Sequence, residues 1–249
     1  MNKLFITSLL AISAIVIGCS QTGNVVDPPV PTAESTGNSV PVGGDSFNVK
    51  FETSKGDVII KVVPDWSPRG AAQFKELVET GFYDDCRFFR VIAGFMAQIG
   101  INGNPEVQAK WRDRKIPDDP VIQSNKRGFV SYAMAGPNTR TCQFFINFGD
   151  NGPSLDGQGF SPFGQVIEGM DVVDSLYSGY GEGAPRGAGP DQGRIQYEGN
   201  EYLNRDYPNL DYVIKATIVS DELAAAADSK EEPAAQDEAA ATTSEETTE

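Results

Sequence analysis

The 249-residue chain carries 20 Lys and Arg against 35 Asp and Glu, a formal charge of −15, with no histidine and three cysteines. Without histidine there is no Ser-His-Asp or Cys-His nucleophilic site and no His-containing zinc site, and three cysteines are too few for a Cys-only one. The acidic balance argues against nucleic-acid binding, which needs a basic footprint.

Met1-Asn2-Lys3 gives a short positive start, and Leu4 to Gly18 is a largely apolar run interrupted by Thr7, Ser8 and Ser13. This is the pattern of a signal peptide, and the run falls short of the about 20 apolar residues a spanning helix needs. It closes on Val16-Ile17-Gly18-Cys19, which resembles the bacterial lipobox, where the Cys becomes the lipidated first residue of the mature protein. The expectation is a signal peptide over 1–18, lipid on Cys19, and an exported protein anchored to a membrane of the cell envelope. Several acyl chains anchor stably, since each buried methylene contributes about 0.8 kcal/mol. Ser20 rather than Asp after the Cys resembles lipoproteins sent to an outer membrane. Residues 19–46 hold Pro28, Pro29, Pro31 and Pro41 among Gly, Ser and Thr without apolar periodicity, and read as a disordered tether.

One folded unit is predicted over 47–220. Val49–Thr53 alternates, Ser54-Lys55-Gly56 turns, and Asp57–Val62 returns as the second strand of a hairpin. Ser67-Pro68 opens a helix with Ser67 as cap and Pro68 in the first turn. Ala71, Phe74, Leu77 and Val78 share one face of it, and Thr80-Gly81 ends it. Short strands follow around Phe88–Ile92, Met96–Ile99, Phe129–Ala133, Phe144–Phe148 and Phe163–Val166. A second short helix is expected near Met170–Tyr177, and Tyr212–Val219 closes the domain. Many short strands between turns, with two helices, suggest a barrel or sandwich with helical plugs.

Between these elements, Asn102–Lys126, with Trp111 and the basic Lys110, Arg112, Arg114 and Lys115, reads as a solvated loop, with groove shaping as the alternative. Gly179-Tyr180-Gly181-Glu182-Gly183-Ala184 fits a loose dinucleotide-binding pattern but follows a helix rather than a strand, and Pro185 blocks helix continuation. That Gly-rich stretch is expected only to wrap the barrel. Cys86 and Cys142 either pair in an oxidising compartment or sit unpaired as small core residues, the second being the expectation. From Asp221 onward ten acids face one Lys, a net of −9 that leaves −6 for the rest of the chain. Residues 221–249 read as a disordered, solubilising acidic tail.

Two stretches carry the chemistry: Phe88-Phe89-Arg90-Val91-Ile92-Ala93-Gly94-Phe95-Met96-Ala97-Gln98, and Ser131 to Ile146, which contains Ala135-Gly136-Pro137-Asn138-Thr139 and Gln143-Phe144-Phe145-Ile146. Within them Arg90 offers a fixed cation and Gln98 and Gln143 offer amides, beside a density of aromatic and Met side chains. That kit is poor for breaking bonds and good for gripping an apolar ring beside a peptide group. Both stretches resemble the cyclophilin family of peptidyl-prolyl isomerases, and the similarity runs from about Phe47 to Val219.

The resemblance implies an eight-stranded antiparallel closed barrel capped by two helices, and isomerisation of X-Pro bonds in unfolded or proline-containing polypeptides. It implies no metal, nucleotide or organic cofactor, and a monomer is expected. Arg90 and Gln98 match the family's catalytic Arg and the glutamine that positions it. Phe95, Met96, Phe145 and Leu155 match its proline pocket, and Gln143 a further pocket glutamine. Ala133 and Met134 match a strand whose backbone pairs with substrate, although an Asn is common where Met134 stands. Phe160 takes the place of a frequent His as one more pocket wall. Ser154 replaces a pocket-edge Trp important for cyclosporin, so weak inhibition by that drug is expected. The rival is a proline-peptide binding or holdase module with vestigial catalysis, against which Arg90 counts, because binding alone would not require it.

Overall fold

The computed structural model describes residues 43–220. The signal peptide, Cys19, most of the tether and the acidic tail lie outside them.

Strands β1 (Phe47–Thr53) and β2 (Gly56–Val62) form the expected hairpin, with Phe47 opposite Val62 and Thr53 opposite Gly56. Val49 and Phe51 of β1 and Val58, Ile60 and Val62 of β2 are buried, the inward halves of two alternating patterns. Six strands follow: β3 (Arg90–Ile92), β4 (Met96–Ile99), β5 (Phe129–Tyr132), β6 (Phe144–Asn147), β7 (Pro162–Glu168) and β8 (Val213–Val219). All eight join one antiparallel sheet in the order β3-β4-β6-β5-β7-β2-β1-β8. The sheet curls so that its two ends meet just before β3 and β8. There the Phe88 N–H donates to the Asp211 carbonyl at 2.9 Å and the Val213 N–H to the Cys86 carbonyl at 3.0 Å. A short run of backbone bonds, rather than a β3–β8 ladder, therefore draws the curl shut.

Helix α1 (Pro68–Glu79) lays its predicted face, Ala71, Phe74, Leu77 and Val78, against the sheet. Phe74 meets Phe144 edge-on at 5.4 Å and Phe163 at 4.8 Å between ring centroids, in an aromatic core that includes Phe51 and Tyr83. The start of α1 corrects the sequence reading. Ser67 stands at the cap position, but its hydroxyl donates to Asp119 Oδ2 at 2.6 Å instead of accepting from the helix. Asp119 does the capping, accepting from the Gly70 N–H at 2.9 Å and the Arg69 N–H at 3.3 Å.

The helices number more than the two expected. Beside α1 are α2 (Pro105–Trp111), α3 (Gly152–Leu155), α4 (Met170–Asp174, inside the second predicted helix) and α5 (Gln192–Asp206). Helix α2 corrects the solvated-loop reading of Asn102–Lys126. Asn104 caps it by accepting from the Glu106 and Val107 N–H groups, and Trp111 is buried edge-on against Phe82. Helix α5 is broken at Gly199, whose φ of +61° suits only glycine and where a Cβ would collide with the Gly103 carbonyl. Its Ile195, Tyr202 and Leu203 build a second small core with Phe89, Ile101 and Leu210.

Cys86 and Cys142 are unpaired and buried, as expected. Burial pushes both thiols up, that of Cys142 to about 11, so thiolate is scarce at neutral pH. Alkylation of the native chain at pH 8 should leave both unmodified by mass mapping, and both should react in denaturant. Ready labelling of either in the native protein would contradict this packing.

Candidate active site

The β3–β4 hairpin sets Arg90 directly opposite Gln98. Opposed residues share a face of the sheet, and the Arg90 Nη1–H donates to Gln98 Oε1 at 3.0 Å. Gln98 in turn donates through Nε2 to Gln143 Oε1 at 2.9 Å. The cation is thus the head of a chain of amides that runs across the floor of the sheet. On the same face Met96, Phe145 and Leu155 form a compact buried cluster, with Phe95, Ala133 and Phe160 packed on it. Phe145 and Phe160 meet edge-to-face at 5.7 Å and 71°.

Leu155 ends α3, and Phe160 follows a 3-10 turn over Asp156–Gln158. Asn125 staples this corner, donating through Nδ2 to Asp156 Oδ1 and to the Phe160 carbonyl, each at 2.8 Å. Ala133 and Met134 correct the sequence reading slightly. They lie just past the end of β5 rather than on it, and the Ala133 N–H is taken by the Gln143 carbonyl at 2.9 Å. Beyond them Thr139 Oγ1 accepts from the Ala135 N–H and donates to the Gly136 carbonyl, closing a tight turn.

All ten residues expected at the site, Cys19 aside, line one cavity of about 480 Å³. Ser154 is not among its lining residues and is exposed on α3. The lining holds no Ser, Cys or Lys; its two hydroxyls are Thr139 and Thr141, and the first is spent in its own turn. What it offers is an apolar floor sized for a ring, a guanidinium beside it and amide groups between.

One wall was not legible in the sequence. Glu182, Pro185 and Gln192, from the Gly-rich stretch after α4, close the far side of the cavity. Glu182 grips Arg90 with both oxygens: Nε donates to Oε1 and Nη2 to Oε2, each at 2.7 Å. The Arg90 guanidinium holds the Glu182 carboxyl below its ordinary range, helped by the Gly183 N–H, against the opposing effect of burial. A Glu 92 positions downstream in a glycine-rich loop carries no local mark of such a role.

The model of cyclophilin-type peptidyl-prolyl cis-trans isomerases matches residues 48–192, more than half of the chain. The chain belongs to the cyclophilin family. A probable peptidyl-prolyl cis-trans isomerase of Brucella abortus is 34% identical to this cyclophilin over 231 residues, covering 87% of this chain and 98% of that protein. Peptidyl-prolyl cis-trans isomerase B of Escherichia coli is 33% identical over 181 residues, covering 70% of this chain and 99% of its own length. Among solved structures, a Cryptosporidium parvum cyclophilin-type isomerase superposes with a TM-score of 0.51 over 71% of this chain and 99% of its own. At 21% identity that likeness speaks for the fold. The cyclophilin is an enzyme, a peptidyl-prolyl cis-trans isomerase, and its mostly β, curled eight-stranded architecture is that of its family.

Proposed function

We propose that Arg90 is the catalytic group of this isomerase, and that the enzyme acts as a monomer outside the cytoplasm on exported proteins, held to a membrane by lipid on Cys19. Amide resonance opposes rotation about a peptide bond with a barrier of about 18–20 kcal/mol. X-Pro isomers lie close in energy yet exchange over tens of seconds or more. A catalyst of this step needs no nucleophile and no proton transfer. It must bind the twisted amide better than either planar form. Twisting returns the lone pair to the prolyl nitrogen, and a donor aimed there stabilises the twisted state. Arginine keeps its protons at every relevant pH.

The observation that carries this reading is the juxtaposition of Arg90 with the Met96, Phe145 and Leu155 floor. The floor takes the prolyl ring, Phe95 and Phe160 wall it, and the backbone of Ala133 and Met134 pairs with the flanking substrate. Gln98 fixes the cation and positions the substrate carbonyl, and Gln143 continues the line of amides along the pocket. Turnover of an X-Pro peptide by the full chain, and its loss on Arg90→Ala, tests the catalytic half.

The location half rests on the Val16-Ile17-Gly18-Cys19 pattern behind an apolar run. Residues 19–46, as a flexible coil, would set the domain about 30 Å from the bilayer. Cys19→Ser should move the protein from the membrane to soluble or uncleaved fractions without changing turnover. Mass spectrometry of the mature N-terminus decides: an unmodified residue, or cleavage elsewhere, leaves only a secreted isomerase.

A further inference from the structure

Arg90 does not reach the pocket on its own. A guanidinium has five N–H donors in a fixed plane, and three are engaged from two sides. Glu182 takes Nε–H and one Nη2–H along one edge, and Gln98 takes one Nη1–H from the other. Nη1 also lies 3.9 Å from Met96 Sδ, at the edge of the apolar floor. A single hydrogen bond to the uncharged amide of Gln98 holds one nitrogen and leaves the plane free to swing. The bidentate carboxylate removes that freedom.

The loop that carries Glu182 is built to keep it there. The Glu182 carboxylate accepts from the Gly183 N–H at 2.9 Å, and its backbone carbonyl accepts from the Gly189 N–H at 2.8 Å. Gly183 and Gly189 form a bridge, and the chain at Gly187 passes so close to the Glu182 carbonyl that a Cβ would collide with it. The loop is then pinned to α5. Tyr180 stacks edge-on between Tyr177 and Tyr207, each at 5.0 Å. The Tyr207 hydroxyl donates to the Gly189 carbonyl at 3.2 Å, and the Asp191 N–H to the Tyr202 hydroxyl at 3.1 Å. The pair itself is partly sheltered, with Arg90 and Glu182 side chains 20% and 32% exposed.

We propose that Glu182 is a positioning residue for the isomerisation: held by the Gly179–Gly193 loop and α5, its carboxylate clamps the Arg90 guanidinium side-on and keeps the unengaged donors at the edge of the proline pocket. The proposal rests on Arg90 as the catalytic group. Pairing does not disarm the donor, because arginine keeps its charge and its remaining hydrogens. The prolyl nitrogen of a twisted amide gains a lone pair rather than a full charge, so alignment of the donor matters more than the net field. A donor already aimed spends no reorganisation at the moment of rotation.

The test measures kcat and KM separately for an X-Pro peptide with the full chain. Glu182→Gln keeps the shape of the side chain and removes the charged fork. It should lower kcat about tenfold, within the range by which misplaced catalytic groups slow reactions, and leave KM within about twofold. Glu182→Asp, which keeps a carboxylate on a shorter arm, should fall between it and the wild type. Glu198→Gln, which removes an exposed pair with Arg194 on α5, should leave both constants unchanged. In 15N NMR, the Arg90 Nε–H should exchange slowly in the wild type and rapidly in Glu182→Gln. A Glu182→Gln enzyme with normal circular dichroism and a kcat equal to or above the wild type overturns the proposal; a raised kcat would mean the carboxylate obstructs the site. An unprotected Nε–H in the wild type overturns it as well, whatever the fate of the variant. If Arg90→Ala is inactive while Glu182→Gln is fully active, the clamp alone falls. If Arg90→Ala keeps wild-type turnover, the catalytic reading falls and the clamp with it.

Discussion

Arg90→Ala should give a folded protein that has lost most of its turnover of X-Pro peptides. Removing one donor aimed at developing electron density costs roughly 10²–10³ in rate in other enzymes, and a loss of that order is expected here. The fold should survive because the pair that Arg90 leaves is partly exposed, and exposed pairs are worth about 0–1 kcal/mol. Its neighbours Val91 and Phe89 keep their places in the core. Arg90→Lys should also be poor. An ammonium cannot lie side-on against Glu182 while donating to Gln98, so the planar fork is lost with the charge retained. A protease-coupled isomerisation assay with circular dichroism on the same samples measures this. Turnover within about twofold of the parent from a folded Arg90→Ala protein would end the donor mechanism.

Where sequence served well, the information was local or lay in a motif. The β1–β2 hairpin announces itself by alternation around Ser54-Lys55-Gly56, and α1 by Pro68 and the spacing of Ala71, Phe74 and Leu77. Arg90 and Gln98 are readable together because a tight hairpin turns a spacing along the chain into an opposition across it. Where sequence failed, the deciding partner lay far along the chain. Ser67 looks like a cap, but Asp119 arrives from the segment that begins at Asn102 and takes the role. Asn104-Pro105-Glu106 is a helix start, yet the basic residues after it read as solvated when Trp111 has no visible partner. Helix α5 hides because Gly199 breaks its period between Ile195 and Tyr202. Glu182 hides because glycines surround it, and only the fold carries it to Arg90.

The segment that escaped the sequence reading also sets the largest expected loss of stability. Arg140 is 1% exposed, and its guanidinium is spent on that segment. Nη2 lies 3.1 Å from Asp119 Oδ2 and donates to the Pro117 carbonyl, Nη1 donates to Ser67 Oγ at 3.3 Å, and Nε sits 3.3 Å from Asp118 Oδ1 without hydrogen-bond alignment. Asp119 in turn caps α1, so one buried pair joins the Asn102–Lys126 segment, the first helix and the residue between Thr139 and Thr141 of the cavity wall. Among the described residues, Arg140→Ala leaves the fully buried Asp119 carboxylate with only Arg69, at 3.7 Å, as a cationic neighbour. Removing one partner of a buried pair costs about 3–5 kcal/mol, which at roughly 2–4 °C per kcal/mol for a domain of this size lowers Tm by about 10 °C. Arg140→Met should be little better, because refilling the volume does not discharge Asp119. Adding Asp119→Asn to Arg140→Met should cost less than the two changes summed, because neighbours in one network couple. Urea and thermal unfolding of the wild type, Arg140→Ala, Arg140→Met, Asp119→Asn and the double variant measure this. A loss below about 1 kcal/mol for Arg140→Ala, the range of an exposed pair, would show that the Asn102–Lys126 segment and α1 are held by packing alone.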